Sequence, residues 1–192
     1  MTLRKKKIFL VIGSPGSGKT SVSKAVANSK LLHFSIGEMY RKIAKENTQL
    51  GIIVKNHIEV GKIVPINIAQ QVISYFLKID CENVIIDGFP RSIKQAEMLD
   101  TLIENLDCTL SMLIEILVDE QKAFERILKR NRGIDDRKEL FKERFNLYEK
   151  EKIKIVNHYI DKNMYISING NLDFNIVVTN LKKIILSKSI LN

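Results

Sequence analysis

The sequence predicts an α/β fold in which helices flank a parallel five-stranded sheet, and three observations lead to this class. Strand-like and helix-like segments alternate along all 192 residues, which is typical of consecutive β-α-β units. The chain contains no internal repeat and no low-complexity linker. Its apolar content of 45% and charged content of 28% are those of a globular protein. At this length one domain is the expectation.

Apolar runs predict five strands, and segments of helical periodicity predict eight helices. The strands are expected at 7–12, 31–34, 83–87, 111–118 and 164–168. The helices are expected at about 19–28, 37–46, 49–59, 65–79, 92–105, 119–131, 137–161 and 173–189. The stretch from 34 to 83 holds more helices than one crossover needs, so we expect a helical insertion there. In 137–161, spacings of three and four residues predict an apolar stripe of core residues: Leu140, Phe141, Phe145, Tyr148, Ile155, Val156, Tyr159 and Ile160.

Composition restricts the partners and the compartment. The formal net charge is +9, but the lysines are spread along the chain at helix-surface spacing, so we do not expect nucleic acid as a partner. The apolar run 8–12 is too short for a signal peptide, and we expect no membrane anchor. Cys81 and Cys108 form neither a disulfide framework nor a metal quartet, which favours a protein of the reducing cytoplasm. One core accounts for the apolar faces, so we expect a monomer. Three histidines show no metal-ligand spacing: His33, His57 and His158, of which the last is expected to pack beside the apolar stripe.

The segment Gly13–Thr20 matches the phosphate-loop pattern G-x-x-x-x-G-K-[ST] and lies between a predicted strand and a predicted helix. Glycines allow the backbone amides to turn toward phosphate oxygens, and the helix N-terminus adds a favourable dipole. Lys19 supplies a cation for the outer phosphates, and the Thr20 hydroxyl is a ligand for Mg²⁺. An ordinary glycine-rich turn is the alternative. The full motif in this context predicts a nucleotide-phosphate site and a P-loop NTPase-type fold.

A second polar cluster follows the predicted strand 83–87. Asp87 at the strand's carboxyl end can hold Mg²⁺ through water, although capping the next helix is an equal alternative. Arg91 offers a planar fork for an anionic oxygen group. Gln95 lies one helical turn further on, either on the surface or where its amide reads the edge of a base.

The arginine-rich segment 130–137 separates two predicted helices. Gly133 and the charge density predict a loop, which near a phosphate site is expected to serve as a lid. A surface connection between the two helices is the alternative.

These motifs together resemble the nucleoside monophosphate kinase family, and adenylate kinases in particular. Asp87–Ala96 resembles the family's D-G-F-P-R segment, which is highly specific beside the phosphate loop. Ser35–Arg41 resembles S-T-G-D-x-L-R, and Gly61–Pro65 resembles G-x-x-V-P. Glu125–Arg130 resembles the arginine pair before the lid, and Asp135, Asp136, Arg144 and Tyr148 resemble the D-D…R…Y pattern after it. The resemblance extends over almost the whole chain.

The resemblance implies transfer of the ATP γ-phosphoryl group to a nucleoside monophosphate, with Mg²⁺ as cofactor. It implies that Lys19, Arg91, Arg130 and Arg144 are catalytic and that Thr20 and Asp87 hold the metal, partly through water. The implied ATP-binding residues are Gly13, Pro15, Gly16, Ser17, Gly18, Lys19, Thr20, Ser21 and Arg126. The implied acceptor-binding residues are Ser35, Gly37, Arg41, Gly61, Ile63, Val64, Gly88, Arg91 and Gln95. The implied lid residues are Arg132, Asp135, Asp136 and Arg137.

The same resemblance predicts the division of the chain into a core at 1–34, 65–130 and 138–192, an acceptor-binding insertion at about 35–64 and a short lid at about 130–137. Gly37, Gly61 and Gly133 are expected near bends. The lid has no cysteines, so we expect no zinc, and Gly133 replaces the usual arginine, whose role Arg132 or Arg137 would take.

Two positions bear on the acceptor base. Ile36 stands where adenylate kinases carry Thr and pyrimidine kinases often carry Ala, whereas Gln95 favours adenine. We therefore expect AMP as acceptor, with a UMP/CMP or broad-specificity kinase as the alternative. A nucleotide-binding module without turnover is the alternative from another functional class.

Overall fold

A computed structural model describes residues 5–106, 108–130 and 137–190, with the side chains of all but 189 and 190. The strands are β1 Lys6–Ile12, β2 Leu31–Ser35, β3 Asn83–Asp87, β4 Cys108–Leu117 and β5 Tyr165–Asn169. The helices are α1 Lys19–Val26, α2 Ile36–Ile43, α3 Gln49–Ile58, α4 Ile66–Lys78, α5 Ile93–Glu104, α6 Glu120–Arg130, α7 Lys138–Ile160 and α8 Phe174–Ile190. Every element predicted from the sequence is present. The largest boundary differences are the start of β4 and the end of α2, each of which lies three residues earlier than predicted.

The five strands form one sheet in the order β2-β3-β1-β4-β5, and all four pairings are parallel. This confirms the predicted fold class. Because the strands are parallel, their carboxyl ends meet at one edge of the sheet. Asp87 at the end of β3 is paired with Val11 of β1 and with Ser35 of β2. The phosphate loop after β1, Ser35 at the end of β2 and Asp87 at the end of β3 therefore lie side by side.

Helices cover both faces of the sheet, which explains why the strands are continuous apolar runs. Ile8, Leu10 and Ile12 of β1 face the larger core, to which α4, α5 and α7 contribute. Phe9 and Val11 face the second core beneath α1 and α8. All five of these side chains are at most 2% exposed. Burial on both faces makes β1 a rigid support for the loop that follows it.

Three helices occupy the long crossover between β2 and β3, as predicted for 34–83. Ser35 caps α2 by accepting a hydrogen bond from the Glu38 amide, and Thr48 caps α3 by accepting one from the Gly51 amide. The chain returns toward the sheet through Gly61, and Val64 is buried in the larger core. Helices α2 and α3 contact each other. Both lie within the predicted insertion at about 35–64, which stays a prediction.

The predicted apolar stripe of α7 is largely correct: four of its eight residues are buried, three are half-buried and one is exposed. Leu140, Phe141, Ile155 and Tyr159 are buried. Ile160, in contrast, is 48% exposed because it lies at the last residue of the helix, so its assignment to the core was wrong. Tyr148 is only half-buried and lines the cleft described below.

The Tyr159 hydroxyl is buried and has no hydrogen-bond partner within the described residues. Burial, and to a lesser degree Asp100, raises the pKa of this phenol. An unsatisfied buried hydroxyl costs free energy, so we expect Tyr159→Phe to raise the free energy of unfolding by about 1 kcal/mol. The midpoint of urea denaturation at unchanged m-value measures the effect.

Tyr165→Phe is the matched control, because its hydroxyl donates to Glu115 at 2.7 Å. We expect that variant to lower the free energy of unfolding by about 1–2 kcal/mol, since the bond to a carboxylate is lost. If Tyr159→Phe also destabilises the chain, the Tyr159 hydroxyl has a partner and its assignment as an unsatisfied group is wrong.

Candidate active site

A cleft of about 1150 Å³, part of it open to solvent, lies at the carboxyl edge of the sheet. Its walls come from the phosphate loop, the junction of β2 and α2, the turn after β3 and the end of α6. The remaining wall is formed by the end of α3 with the segment after it and by one face of α7. This is the position at which open parallel sheets bind ligands.

The phosphate loop is held by close backbone packing. Gly16 has φ +83°, and a Cβ there would lie 2.2 Å from the Ala123 carbonyl oxygen of α6. Any side chain would therefore displace the loop from α6. Gly18 is the N-cap of α1, so the unpaired amides of the first helical turn follow it directly. This backbone conformation suits a bound anion.

Lys19 is the cationic centre of the cleft. Its Nζ donates to the Ser14 carbonyl oxygen at 3.2 Å. Burial lowers the pKa of this ammonium to about 8; Asp87 acts in the opposite direction, and Arg91, Arg130 and Arg41 lower the pKa further. Three arginines are thus close enough to repel the ammonium of Lys19. A polyanionic ligand would relieve that repulsion.

Asp87 is 1% exposed and is held by three polar side chains. Its Oδ1 accepts from Thr20 Oγ1 at 2.9 Å and from Ser35 Oγ at 3.4 Å, and its Oδ2 lies 2.5 Å from His33 Nε2. The alternative of a helix cap is excluded, because Ser92 caps α5. Sequence reasoning missed His33. His33 lies two residues before Ser35 and therefore on the same face of β2. This position indicates a partner of Asp87 only once β2 is known to lie beside β3.

Arg91 is fixed by its own turn. Its Nε donates to the Gly88 carbonyl oxygen at 2.9 Å, and its backbone amide donates to Gln95 Oε1 at 2.9 Å. The guanidinium also lies 5.9 Å from the centre of the Tyr40 ring. Gln95 is 2% exposed, so the surface alternative for it was wrong. In this structure Gln95 supports Arg91 and is not among the residues that line the cleft.

Two further arginines connect elements around the cleft. Arg126 donates to the Ser17 carbonyl oxygen at 3.4 Å and to the Gly170 carbonyl oxygen at 2.9 Å, and so links the phosphate loop to the loop after β5. Arg144 of α7 donates to the Ile58 carbonyl oxygen at the end of α3, at 2.7 Å. A Cβ at Gly61 would lie 3.1 Å from Arg144 Cγ, so the segment after α3 lies directly against α7.

The structure brings most of the predicted site residues together. The following line the cleft: Gly13, Pro15, Lys19, Thr20, Ser35, Gly37, Arg41, Gly61, Ile63, Asp87, Gly88, Arg91, Arg130 and Arg144. Gly16, Ser17 and Gly18 belong to the phosphate loop without lining the cleft, Ser21 is exposed and Val64 is buried. Arg137 is exposed at the start of α7. Arg132, Gly133, Asp135 and Asp136 lie outside the described residues.

Sequence reasoning also missed a buried carboxylate behind the cleft. Glu115 of β4 is 3% exposed, and it accepts from the Tyr148 hydroxyl at 2.5 Å and from the Tyr165 hydroxyl at 2.7 Å. Burial and the neighbouring Glu115 raise the pKa of Tyr148, so its phenol remains a donor at neutral pH. The network ties α7 to the sheet where Tyr148 lines the cleft. No local sequence pattern signals it, because its members come from three elements.

The lowered pKa of Lys19 predicts a pH dependence. Only the protonated ammonium attracts phosphate, so we expect kcat/KM for MgATP to be constant below pH 8 and to fall as pH rises above about 8. Bound phosphates favour the charged form, so kcat itself should fall at higher pH than kcat/KM. Steady-state kinetics from pH 6.5 to 9.5 at constant ionic strength measure both profiles. A flat profile of kcat/KM up to pH 9.5 would contradict the assignment.

No helix within the described residues is long and apolar enough to cross a membrane. Among the same residues, no three His, Cys, Asp or Glu side chains are grouped so that they could hold a metal ion.

A glycine-rich phosphate loop at the carboxyl edge of a parallel sheet, facing several cationic side chains, defines a nucleotide-phosphate-binding protein of the P-loop class. The family model for adenylate kinase matches residues 11–164. The chain belongs to the adenylate kinase family.

Adenylate kinases of three bacteria are similar over nearly the full length. The protein of a Nitratiruptor species is 38% identical over 188 residues, which cover 95% of this chain and 97% of the relative. That of Helicobacter pylori (strain G27) is 35% identical, with 95% and 98% covered. That of Nautilia profundicola is 36% identical, with 96% and 98% covered. The resemblance inferred from the motifs is thereby confirmed.

Proposed function

We propose that this chain transfers the γ-phosphoryl group of MgATP reversibly to AMP and forms two molecules of ADP. The observation that carries the proposal is the convergence of Lys19, Arg41, Arg91 and Arg130 on one cleft beside the phosphate loop. Phosphoryl transfer requires positioning and charge neutralisation more than covalent catalysis. A lysine and several arginines around two phosphate positions meet that requirement.

The donor half of the site consists of the phosphate loop and Arg126. The amides after Gly16 and the ammonium of Lys19 would bind the outer phosphates of ATP. Arg126 lies across the outer side of the loop, held by Ser17 and Gly170, where its flat guanidinium would stack on the donor base. This arrangement favours a nucleoside triphosphate over a smaller phosphorylated donor.

The acceptor half is supported by the packing around Gly37. A Cβ at this position would lie 3.3 Å from Arg91 Nη2 and 3.4 Å from Arg41 Nη1, so both guanidinium groups converge here. Two such groups provide the bidentate donors that a terminal phosphate prefers. Gly61 and Ile63 would line the pocket for the attached nucleoside. A direct bond from Gln95 to the base stays a prediction, because its Oε1 is used by Arg91.

Mg²⁺ fits the residues beside the phosphate loop. Thr20 Oγ1 at the start of α1 and Asp87 Oδ1 at the end of β3 are hard oxygen ligands 2.9 Å apart. These two residues would hold the ion, Asp87 partly through water. The ion would supply charge neutralisation between the donor phosphates.

Closure of the site would exclude water from the transferred group. Arg130 and Arg144 line the cleft and would neutralise charge on that group. The contact of Arg144 with Ile58 already joins α7 to α3, as expected for an insertion that folds over the acceptor. We retain the insertion at about 35–64 and the lid at about 130–137 as working boundaries, and a cytoplasmic monomer as the working state of the protein.

A coupled assay of ADP formation with AMP, CMP, UMP and GMP tests the proposal. We expect AMP to have the highest kcat/KM. Ile36 is fully buried at the position where adenylate kinases carry Thr, which is why the pyrimidines are included. Equal or faster turnover of a pyrimidine would exclude AMP as the preferred acceptor. No turnover with any of the four would exclude the kinase reaction itself.

A further inference from the structure

One face of α7 forms a wall of the cleft, and the first turns of this helix contact the segment after α3. Arg144, Leu147, Tyr148, Glu151 and Ile155 line the cleft, at spacings of three and four residues. Arg144, at one end of this row, lies against Gly61. Ile155, at the other end, is buried in the core. Glu151 is the only carboxylate of the row, and it is half-buried.

The contact between α5 and α7 gives the position of Glu151. His158 Nε2 lies 2.6 Å from Asp100 Oδ2, so these two residues are level with each other. Both helices run away from the carboxyl edge, since α5 follows the parallel strand β3 and α7 precedes the parallel strand β5. Glu151 lies seven residues before His158 on α7, and Ile93 lies seven residues before Asp100 on α5. Both are therefore about 10 Å nearer that edge and level with each other.

Glu151 therefore lies beside the turn that carries Arg91. Pro90 and Arg91 line the cleft on this side, and Ile58, Gly61 and Ile63 line it on the side of the insertion. The phosphate of the acceptor is assigned to Arg41 and Arg91. The space between Glu151 and the insertion is thus the space available to the acceptor's nucleoside.

The carboxylate of Glu151 forms no hydrogen bond or ion pair with the residues that the structure describes. An ionised carboxylate only accepts hydrogen bonds, so it attracts an amino group and repels a carbonyl oxygen. Adenine presents an exocyclic amino group at the position where hypoxanthine and guanine present a carbonyl oxygen. Gln95, whose amide lies near this turn, already accepts a hydrogen bond from the Arg91 backbone amide and does not line the cleft.

We propose that Glu151 is a specificity-determining residue that accepts a hydrogen bond from the exocyclic amino group of the acceptor base. This inference rests on the proposed kinase function and specifies its substrate: a 6-aminopurine monophosphate is favoured over a 6-oxopurine monophosphate. Lys62 also lines the cleft. An ion pair between Lys62 and Glu151 is the competing role for the carboxylate.

The test combines Glu151→Ala with a substrate that lacks the amino group, purine riboside 5′-monophosphate. We expect Glu151→Ala to lower kcat/KM for AMP about 10- to 100-fold, the range for a hydrogen bond to a charged group, with KM for MgATP unchanged. The unmodified enzyme should already have a kcat/KM for the analogue that is about 10- to 100-fold lower than for AMP. Glu151→Ala should then change kcat/KM for the analogue by less than about threefold. Glu149→Gln is the matched control, since Glu149 pairs with Lys152 and does not line the cleft. It should leave both substrates unaffected.

Glu151→Gln keeps the size of the side chain and adds an N–H donor. We expect it to lower the ratio of kcat/KM for AMP to that for IMP about 10- to 100-fold, which a purely structural role would not do. Equal losses with AMP and with the analogue would overturn the proposal. Lys62→Ala tests the competing ion pair. If it changes kcat/KM for AMP and for the analogue as Glu151→Ala does, the proposal is also overturned. Absence of turnover with every acceptor would instead reject the kinase function.

Discussion

Lys19→Met is expected to lower kcat about 10²- to 10³-fold, because it removes one preorganised cation from a charged transition state. The ammonium is placed at the phosphate loop by the Ser14 carbonyl oxygen and faces three arginines. We assign it to the γ-phosphoryl group during transfer. Methionine keeps the length of the aliphatic chain, so the loss reports the charge and not a cavity.

The same substitution should not weaken the fold. The folded-state pKa of Lys19, about 8, lies below the ordinary value of 10.5, so the folded protein disfavours the charged form. This cost to stability is fully present below pH 8 and is lost as pH rises toward the unfolded-state pKa. We therefore expect Lys19→Met to have an equal or higher free energy of unfolding at pH 7, with a gain that shrinks above pH 8.

Urea denaturation and the coupled ADP assay on one preparation measure the two effects. Lys24→Met is the control, because Lys24 is an exposed lysine on the same helix. It should leave kcat unchanged. If Lys19→Met retains ATP-dependent turnover at the normal rate, the assignment of the phosphate loop to the donor is wrong.

Arg91→Ala is expected to lower kcat/KM for AMP about 10²- to 10³-fold, because a guanidinium that pairs with phosphate in a closed site contributes about 3–4 kcal/mol. KM for MgATP should stay within about threefold, since Arg91 is assigned to the acceptor. Arg91→Lys should recover only part of the loss, because an ammonium lacks the planar fork. Lys94→Ala, on the exposed side of α5, is the control.

A second readout separates this role from a structural one. Arg91 lowers the pKa of Lys19. Its removal should therefore move the fall of kcat/KM for MgATP to higher pH. An effect of Arg91→Ala on MgATP that equals the effect on AMP, with no change in the pH profile, would show that the arginine only supports the turn at Gly88.

Much of this fold could be predicted because its determinants are local. The phosphate loop consists of eight consecutive residues, and its strand–loop–helix context is readable within about 20 residues. β3 was predicted with the bounds that the structure has, because a short apolar run ends there in an acid and a Gly-Pro turn. The start of β4 was placed late because β4 continues beside β1 past a shift in register at Ile8 and Phe9. That extension depends on the neighbouring strand.

The side-chain partners could not be predicted, because they depend on which elements lie side by side. His33 and Asp87 are 54 positions apart, and Glu115 and Tyr148 are 33 apart. Gln95 has the sequence context of a base-reading or surface residue, yet the contact of α5 with its neighbours buries it beneath Arg91. Residue type alone does not distinguish these roles.

By itself, the sequence determined the class of the fold, the phosphate loop and the arginines that belong to it, since periodicity and consecutive motifs require no knowledge of distant contacts. Only the tertiary structure decided how these residues act on one another. The order of the strands brings His33 and Thr20 to Asp87, and the packing of α7 brings Arg144 to Ile58 and Glu151 to the cleft. The lowered pKa of Lys19 has the same origin, because burial and three arginines from separate elements act on it only after the chain has folded.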